Sequence, residues 1–270
     1  MTSPITVVTG ANSGIGRATA IHLAVNGHRV FGTVRATAKT EKLLAAAAEH
    51  GVEIELAELD VADDASVERG FADILERAGR VDHLVNNAGV GGNGVVEECS
   101  SEQFLEVMNI DLVGAIRCSR AVLPQMRERG SGTIVNVTSV AGRFGAMAQA
   151  PYVASKWALE GVSEEMALEL AAFGIRVAIV EPGVTKSSIF AKNIDAPNNT
   201  GAYDAHYRRM FQMYAAGIQN ATDAVEVAEV IRHAIETDEP ELRYVVSWGA
   251  AEMVAGRDSM SAADWAGLGA

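Results

Sequence analysis

The sequence predicts an α/β fold, a single domain in which helices cover both faces of a doubly wound parallel sheet of about seven strands. Short β-branched segments alternate with longer helical patterns along the 270 residues, and this order produces the right-handed crossovers of a parallel sheet. Several short segments, such as Ile5-Thr6-Val7-Val8, are apolar without strict alternation, which is typical of strands buried on both faces. Gly27 and Gly174 stand where helices should end in the left-handed conformation.

The elements follow in order from the N-terminus. Strands are predicted at 5–9, 29–34, 53–59, 83–86, 133–138, 177–181 and 244–247. Helices are predicted at 14–26, 39–50, 65–78, 101–129, 152–173 and 222–236. The stretch 188–217 fits neither pattern and is long for a loop unless it serves as a lid or binding element. We therefore expect one domain over residues 1–270, with 188–217 as a lid over the ligand.

The composition limits the possible partners. Hydrophobic residues make up 49% of the chain, enough for a sizeable core, and the net charge is -13. Such acidity repels nucleic-acid phosphates and anionic lipids, so we expect neither nucleic acid nor a membrane as a partner. Cys99 and Cys118 have no metal-ligand spacing, and no metal is expected. The chain shows no secretory signal and no apolar run of membrane-spanning length, which makes the cytoplasm the expected location.

A glycine-rich turn, Thr9-Gly10-Ala11-Asn12-Ser13-Gly14-Ile15-Gly16, follows the first predicted strand and opens the first helix. Such a turn lets the backbone approach a pyrophosphate, which the free N–H groups and the dipole of a helix N-terminus favour. The spacing differs from the common G-x-G-x-x-G form, so the glycines alone could belong to an ordinary tight turn. The strand before them and the helix after them favour a dinucleotide site in a Rossmann-type domain.

The end of the second strand indicates which dinucleotide would bind. A carboxylate there would hydrogen-bond the adenosine ribose and favour NAD(H), but the chain has Thr33-Val34-Arg35. A guanidinium matches the oxygens of a ribose 2′-phosphate. Arg35 could also be an ordinary solvated loop residue, so the sequence favours NADP(H) and keeps NAD(H) as the alternative.

Tyr152 and Lys156, one helical turn apart, form a candidate catalytic pair. An ammonium beside the phenol, together with the positive nicotinamide of an oxidised cofactor, should lower the phenol pKa and let it exchange a proton with a carbonyl or alcohol oxygen. Ser139 ends the fifth predicted strand. Because ligands of open α/β sheets bind beyond the carboxyl ends of strands, its hydroxyl could hold the same oxygen. Each feature alone is common, and a serine at this place is often only a helix cap.

Taken together, these residues resemble the short-chain dehydrogenase/reductase family in its single-domain form. The shared features extend to about Ser187 and are Thr9-Gly10-x3-Gly14-x-Gly16, Asp60, Asn86-Asn87-Ala88-Gly89, Ser139, Tyr152-x3-Lys156 and Pro182-Gly183. Glu160-Gly161 and Val34-Arg35 are similar to the steroid- and retinol-dehydrogenase-like branch. The resemblance implies hydride transfer between a nicotinamide and a carbonyl or secondary alcohol. It also implies homodimers or homotetramers that pair through the two long helices.

The same resemblance implies roles for single residues. Ser139, Tyr152 and Lys156 would be catalytic, and Lys156 would also hold the nicotinamide ribose. Asp60 would contact the adenine, and the segment after Pro182-Gly183 would contact the carboxamide. The residues expected around the cofactor are Gly10, Asn12, Ser13, Gly14, Ile15, Gly16, Arg35, Asp60, Val61, Asn87, Ala88, Gly89, Tyr152, Lys156, Pro182, Gly183, Thr185 and Ser187.

One position departs from the family pattern. The fourth catalytic residue is usually an asparagine three positions before a glycine, and in Asn109-Ile110-Asp111-Leu112-Val113-Gly114 that place belongs to Asp111. The family's asparagine positions a water on the lysine through its backbone carbonyl, which an aspartate also has. A carboxylate near Lys156 would favour the ammonium. We therefore expect activity with Asp111 as the fourth catalytic residue and an altered pH profile, unless a helix irregularity brings Asn109 into its place.

The stretch after Ser188 is rich in aromatic residues and methionine, which either line an apolar substrate pocket or pack a lid onto the body. These residues are Phe190, Tyr203, Tyr207, Met210, Phe211, Met213 and Tyr214. Further pocket candidates are Arg143, Phe144, Met147 and Gln149. We expect a lipophilic carbonyl or alcohol as substrate. Two alternatives stay open: a catalytically silent NADP-binding regulator, and a sugar-nucleotide epimerase, although epimerases usually have longer chains with a separate substrate region.

Overall fold

The computed structural model describes residues 3–186 and 196–269. Within these residues, seven parallel strands form one sheet in the order β3-β2-β1-β4-β5-β6-β7. The strands are β1 (Ile5–Val8), β2 (Arg29–Val34), β3 (Glu55–Glu58), β4 (His83–Asn86), β5 (Gly132–Val137), β6 (Ile175–Pro182) and β7 (Arg243–Val246). The predicted fold class is confirmed, and the strand order reverses between β1 and β4, where the carboxyl ends of the strands leave a crevice.

Helices cover both faces of the sheet. They are α1 (Gly14–Val25), α2 (Glu41–Glu49), α3 (Asp64–Ala78), α4 (Ser101–Met108), α5 (Gly114–Arg129), α6 (Ala150–Ala171), α7 (Asp204–Gln219), α8 (Ala224–Glu236), α9 (Ala250–Ser259) and α10 (Ala262–Gly267). Gly27 and Gly174 follow α1 and α6 with φ of 90° and 67°, as expected for residues that end a helix in the left-handed region.

Two apolar layers hold these helices in place. On one face Phe71 of α3, Val122 of α5 and Leu170 of α6 pack against the sheet. On the other face α1, α2 and α8 contribute the second layer. Val7 belongs to the first layer and Val8 to the second, which is why β1 is apolar without strict alternation. Each fully buried side chain of this size stabilises the fold by roughly 1.5–3 kcal/mol.

The helix predicted over 101–129 contains a turn of π-helix at Asn109–Val113, between α4 and α5. Gly114 follows this turn and lies against Val61, where an added Cβ would be 2.9 Å from the Val61 Cβ. The close approach of the helix to the end of the third strand therefore requires glycine. The widened turn changes which side chains face the sheet, and it buries Asp111.

The predicted lid is partly a helix. Residues 187–195, and with them Ser187 and Phe190, lie outside the described residues, whereas helix α7 begins at residue 204. Tyr203, Tyr207, Met210 and Tyr214 recur at a helical spacing, so the signal for α7 is present in the sequence. Helices α9 and α10 were not predicted, because both are short and α9 ends among polar residues.

Candidate active site

A cavity of about 710 Å³ opens at the carboxyl ends of the strands. It extends from the glycine-rich turn and the end of β2, past the ends of β4, β5 and β6, to α7 and the start of α9. The lining includes the following residues that the sequence assigned to the cofactor: Gly10, Asn12, Ser13, Gly14, Ile15, Arg35, Asp60, Val61, Asn87, Ala88, Gly89, Tyr152, Lys156, Pro182, Gly183 and Thr185. A single cavity thus brings together residues that lie far apart in the sequence.

The glycine-rich turn is bound tightly to the end of β4. The Thr9 Oγ1 accepts hydrogen bonds from the N–H groups of Asn87 and Ala88, both at 2.9 Å. Gly10 has φ of 67°, and a Cβ there would lie 2.9 Å from the Ala88 Cα. Gly16 is absent from the cavity lining; its hydrogen faces Gly10 O and the Asn87 amide, where a side chain would collide. The sequence placed Gly16 beside the cofactor, but in the structure Gly16 packs beneath the turn.

The donor groups at this end fit a dinucleotide. The first turn of α1 contains no acidic side chain, and its N–H groups point toward the turn as in any helix N-terminus. The buried Asn12 Oδ1 has no hydrogen-bond partner among the described residues, while Asn12 Nδ2 donates to Lys39 O at 2.8 Å. A pyrophosphate would meet backbone donors here and no repelling carboxylate.

Two cations stand at the adenosine end of the cavity. Arg35 is exposed at the end of β2, and Lys39 lies four residues further on. The sequence analysis did not identify Lys39, although its charge and its position four residues after Arg35 in the sequence would have indicated a second cation at this site. Asp60 also lines this end, and its Oδ1 accepts from the Ala62 N–H at 3.0 Å. Two cations and one carboxylate therefore line this end of the cavity.

Ser139, Tyr152 and Lys156 meet at the middle of the cavity. Lys156 is buried, and its Nζ lies 5.6 Å from the centre of the Tyr152 ring and donates to Val137 O at 3.3 Å. Ser139 Oγ accepts from the Ala141 N–H at 3.2 Å and donates to Pro182 O at 3.4 Å. The serine thus caps the short helix after β5, as the sequence also allowed, and its hydroxyl still borders the cavity.

Asp111, and not Asn109, faces Lys156. Asp111 Oδ2 lies 3.5 Å from Lys156 Nζ, and Oδ1 accepts from the Val90 N–H at 2.8 Å. Asn109 is directed to the other side of the π turn, where its Oδ1 accepts from Arg117 at 2.9 Å. Asp111 does not line the cavity; it supports the lysine from behind.

Burial and charge act together on this pair. Burial raises the pKa of the Asp111 carboxyl, although Lys156 opposes the shift. For Lys156, burial is the largest effect and opposes the charged form, but the attractions of Asp111, Tyr152 and Glu160 together outweigh it and raise the pKa of the ammonium. The carboxyl and the ammonium group are held 3.5 Å apart and are enclosed by protein.

The opposite end of the cavity is apolar. The predicted residues Phe144, Gln149, Met213 and Tyr214 line it. The lining residues that the sequence did not indicate are Val90, Val140, Ala141, Ala146, Val184, Ala216, Trp248 and Met253. Trp248 and Met253 come from the C-terminal part, which carries no motif, so only their place in the fold reveals them.

Other predicted pocket residues lie elsewhere. Tyr207 and Met210 are buried in a cluster with Val95 that packs α7 onto the body, and Phe211 is exposed. Arg143 pairs with Glu181 at 3.2 Å. Tyr203 and Met147 do not line the cavity either, and the Tyr203 hydroxyl donates to Glu97. Part of the aromatic stretch therefore lines the cavity and part of it packs α7 onto the body; the binding of a substrate there stays a prediction.

No helix in the described residues is long and apolar enough to cross a membrane. In the same part of the chain, no group of three histidine, cysteine or acidic side chains is arranged to hold a metal ion.

Comparisons with known proteins agree with this geometry. Residues 4–198 match the family model described as short chain dehydrogenase. Mouse 17-beta-hydroxysteroid dehydrogenase type 1 is 35% identical over 255 residues, which are 90% of this chain and 74% of the mouse protein. A short-chain dehydrogenase from Streptomyces avermitilis superposes with a TM-score of 0.86 at 36% identity, covering 99% of this chain and 97% of that one. A variant of actinorhodin polyketide ketoreductase, solved with NADPH, gives a TM-score of 0.78 at 34% identity over 92% and 97% of the two chains.

Proposed function

The chain belongs to the short-chain dehydrogenase/reductase family, in its steroid-dehydrogenase-like branch, and on that premise we propose that it is an NADP(H)-dependent oxidoreductase of lipophilic carbonyl compounds or secondary alcohols. Family membership makes it an enzyme that transfers a hydride between a nicotinamide cofactor and a C=O or CH–OH group. One observation supports the finer proposal above all. The same cavity has two cations at one end, Ser139, Tyr152 and Lys156 in the middle, and an apolar lining at the other end.

The protein's part in the reaction is to hold the substrate oxygen and move a proton. The nicotinamide, when bound, supplies or accepts the hydride. In reduction the Tyr152 hydroxyl donates its proton to the carbonyl oxygen as negative charge develops there. Ser139 Oγ turns from its long bond with Pro182 O, 3.4 Å, to donate to the same oxygen. In oxidation the Tyr152 phenolate accepts the proton of the alcohol, while the Ser139 hydroxyl still donates to the same oxygen.

Lys156 keeps a positive charge beside this oxygen, and Asp111 keeps the charge in place. The Val137 carbonyl and the Asp111 carboxylate, at 3.3 Å and 3.5 Å from the lysine Nζ, fix its position. We assign Asp111 the place of the family's asparagine, as a positioning residue behind the lysine. A charge held this way costs no reorganisation during the reaction.

NADP(H) is the cofactor we propose, because Arg35 and Lys39 line the adenosine end and neither β2 nor the turn after it places a carboxylate in the lining. The actinorhodin ketoreductase, 34% identical, was solved with NADPH, which supports the same choice. Asp60 is proposed to face the adenine, and Gly183 and Thr185 the carboxamide. NAD(H) is the alternative that a direct comparison of the two cofactors would detect.

We also propose that the protein is a homodimer or a tetramer built from such dimers. Leu105 of α4 and Trp157 and Leu168 of α6 are large apolar side chains with exposures of 68%, 50% and 77%. Trp157, Gly161 and Leu168 recur at a helical spacing along one face of α6. An exposed apolar stripe of this kind is typical of a subunit interface.

A carbonyl panel tests the proposed function. Purified protein is mixed with NADPH or NADH and with bicyclic ketones, and the loss of cofactor absorbance is followed. We expect NADPH oxidation that depends on the ketone and exceeds the rate with NADH. NADPH binding without turnover of any ketone or alcohol would instead favour the catalytically silent regulator.

A further inference from the structure

Gln149 is a buried polar side chain at the apolar end of the cavity. Only 8% of its surface is exposed, and it lines the cavity. Among the described residues, none hydrogen-bonds to its side-chain carboxamide, and its polar atoms are not sealed from the cavity. The carboxamide is therefore open to the cavity, where an oxygen of a bound ligand could hydrogen-bond to it.

The backbone before Gln149 is held in an uncommon conformation. Ala148 has φ of 55°, in the left-handed region that non-glycine residues rarely adopt. Gly94 holds this turn from both sides, because its N–H donates to Ala148 O at 2.7 Å and its carbonyl accepts from the Ala150 N–H at 3.0 Å. Strained backbone that the surroundings enforce is concentrated at functional sites. Here it directs the residue between Ala148 and Ala150 toward the cavity.

The surroundings define what the amide could recognise. Charged lining residues are Arg35, Lys39 and Asp60 at the adenosine end and Lys156 in the middle. Around Gln149 the lining is apolar, with Phe144 and Ala146 nearby in sequence. The Tyr214 hydroxyl is already used, because it donates to Asn93 Oδ1 at 2.9 Å. A ligand charge would find no counter-ion there, whereas a neutral oxygen would find the amide.

We propose that Gln149 determines specificity by hydrogen-bonding a second, neutral oxygen of the substrate, remote from the reacting carbonyl. This inference rests on the proposed function and narrows its substrate class to lipophilic ketones with a further carbonyl or hydroxyl group. Gln149 stands three residues before Tyr152, so the two oxygens lie on the same side of the substrate. The carboxamide suits either group, since it has both a donor and an acceptor.

A matched pair of ketones tests this inference. trans-Decalone and the corresponding decalin dione differ by one oxygen, and kcat/KM for each is measured with NADPH. The wild-type protein should prefer the dione by about fivefold to tenfold, the effect of one neutral hydrogen bond. In Gln149→Met, which keeps the length of the side chain without its polar atoms, the ratio should fall to about one. The loss should appear mainly in KM, because the oxygen is bound equally in the ground state and the transition state.

Two further variants make the result decisive. Gln149→Glu keeps the shape of the side chain but removes the N–H donor that a second carbonyl needs. This variant should therefore lose the preference for the dione as well. It replaces Gln149→Met in the test if Gln149→Met does not fold. Gln219→Met, at the exposed end of α7, should keep the wild-type ratio. An unchanged ratio in a folded Gln149 variant that binds NADPH would overturn this inference. Failure of the wild-type protein to reduce either ketone would overturn the proposed function instead.

Discussion

Residue scale. Tyr152 and Lys156 stand on one face of α6, yet they are held by different surroundings. Tyr152 borders the cavity, whereas Lys156 is buried against Asp111 and the end of β5. Both residues line the cavity, but only the ammonium is enclosed by protein. In the mechanism that we propose, Tyr152 exchanges the proton and Lys156 supplies a constant charge.

Replacement of the phenol tests its role. We expect Tyr152→Phe to lower kcat by about 100-fold or more, the contribution of a general acid. NADPH binding, measured by fluorescence titration, should stay the same because the ring is retained. A variant that keeps most of its turnover would exclude Tyr152 as the proton donor.

Asp111 is expected to extend the pH range in which Lys156 stays charged. Asp111→Asn removes the carboxylate that raises the pKa of Lys156, while the amide oxygen can still accept from the Val90 N–H. The ammonium should then be lost at lower pH, so the high-pH limb of the kcat/KM profile for reduction should move to lower pH. Profiles of both proteins across the alkaline range give the measurement, and superimposable limbs would contradict the coupling.

Arg35 is expected to discriminate between the cofactors. Arg35→Ala should weaken NADPH binding by about tenfold to 100-fold, because a charged hydrogen bond to phosphate is lost, and should leave NADH nearly unchanged. Calorimetric titration of both cofactors gives the comparison. Lys42→Ala, an exposed cation on α2 outside the cavity lining, is the control. Equal losses for NADPH and NADH would remove Arg35 from the 2′-phosphate site.

Element scale. Two buried carboxylates and two partly buried arginines join β6, β7, α6 and the segment that follows β5. Glu160 of α6 and Glu181 of β6 are buried, and Arg243, the first residue of β7, lies 3.1 Å from each of them. Arg143, just after the short helix that follows Ser139, also pairs with Glu181. These contacts hold together the elements that carry Ser139, Lys156 and Pro182.

Loss of the shared cation should destabilise the fold. Arg243→Met leaves Glu160 buried without its counter-ion, and we expect a loss of about 3 kcal/mol in the free energy of unfolding. Burial raises the pKa of Glu160, so protonation relieves the unpaired charge and the loss should shrink as the pH falls toward that pKa. Urea unfolding at neutral and mildly acidic pH measures both effects. Arg69→Met, an exposed arginine of α3, should change stability by less than about 0.5 kcal/mol.

The C-terminal helices complete the apolar end of the cavity. Trp265 of α10 packs edge-on against Phe144 with ring centres 5.8 Å apart, and α9 contributes Met253 to the lining. Residues beyond the family match, which ends at 198, thus form part of the apolar end of the cavity.

Whole-molecule scale. The exposed apolar side chains of α4 and α6, Leu105, Trp157 and Leu168, do not line the cavity. A charged residue among them should prevent association, so we expect Leu168→Glu to be a monomer and the wild-type protein a dimer or tetramer in sedimentation velocity. Leu44→Glu, an exposed leucine of α2, is the matched control and should associate as the wild type does. A monomeric wild-type protein would contradict the proposed assembly.

The sequence by itself determined the sheet, its two helical layers and the residues of the motifs. These features are local: a βα turn needs glycines for its backbone, and burial on both faces makes a strand apolar without alternation. The motif spacing already favoured Asp111 over Asn109, and the structure decided between them by placing Asp111 beside Lys156. Only the structure showed that Arg243 joins Glu160 to Glu181 and that Trp248 and Met253 enter the cavity. Such contacts join residues far apart in the chain, and the π turn that directs Asp111 inward depends on how the helix packs against the sheet. Periodicity and spacing reflect interactions between residues that are close in the chain, so they do not predict such long-range contacts.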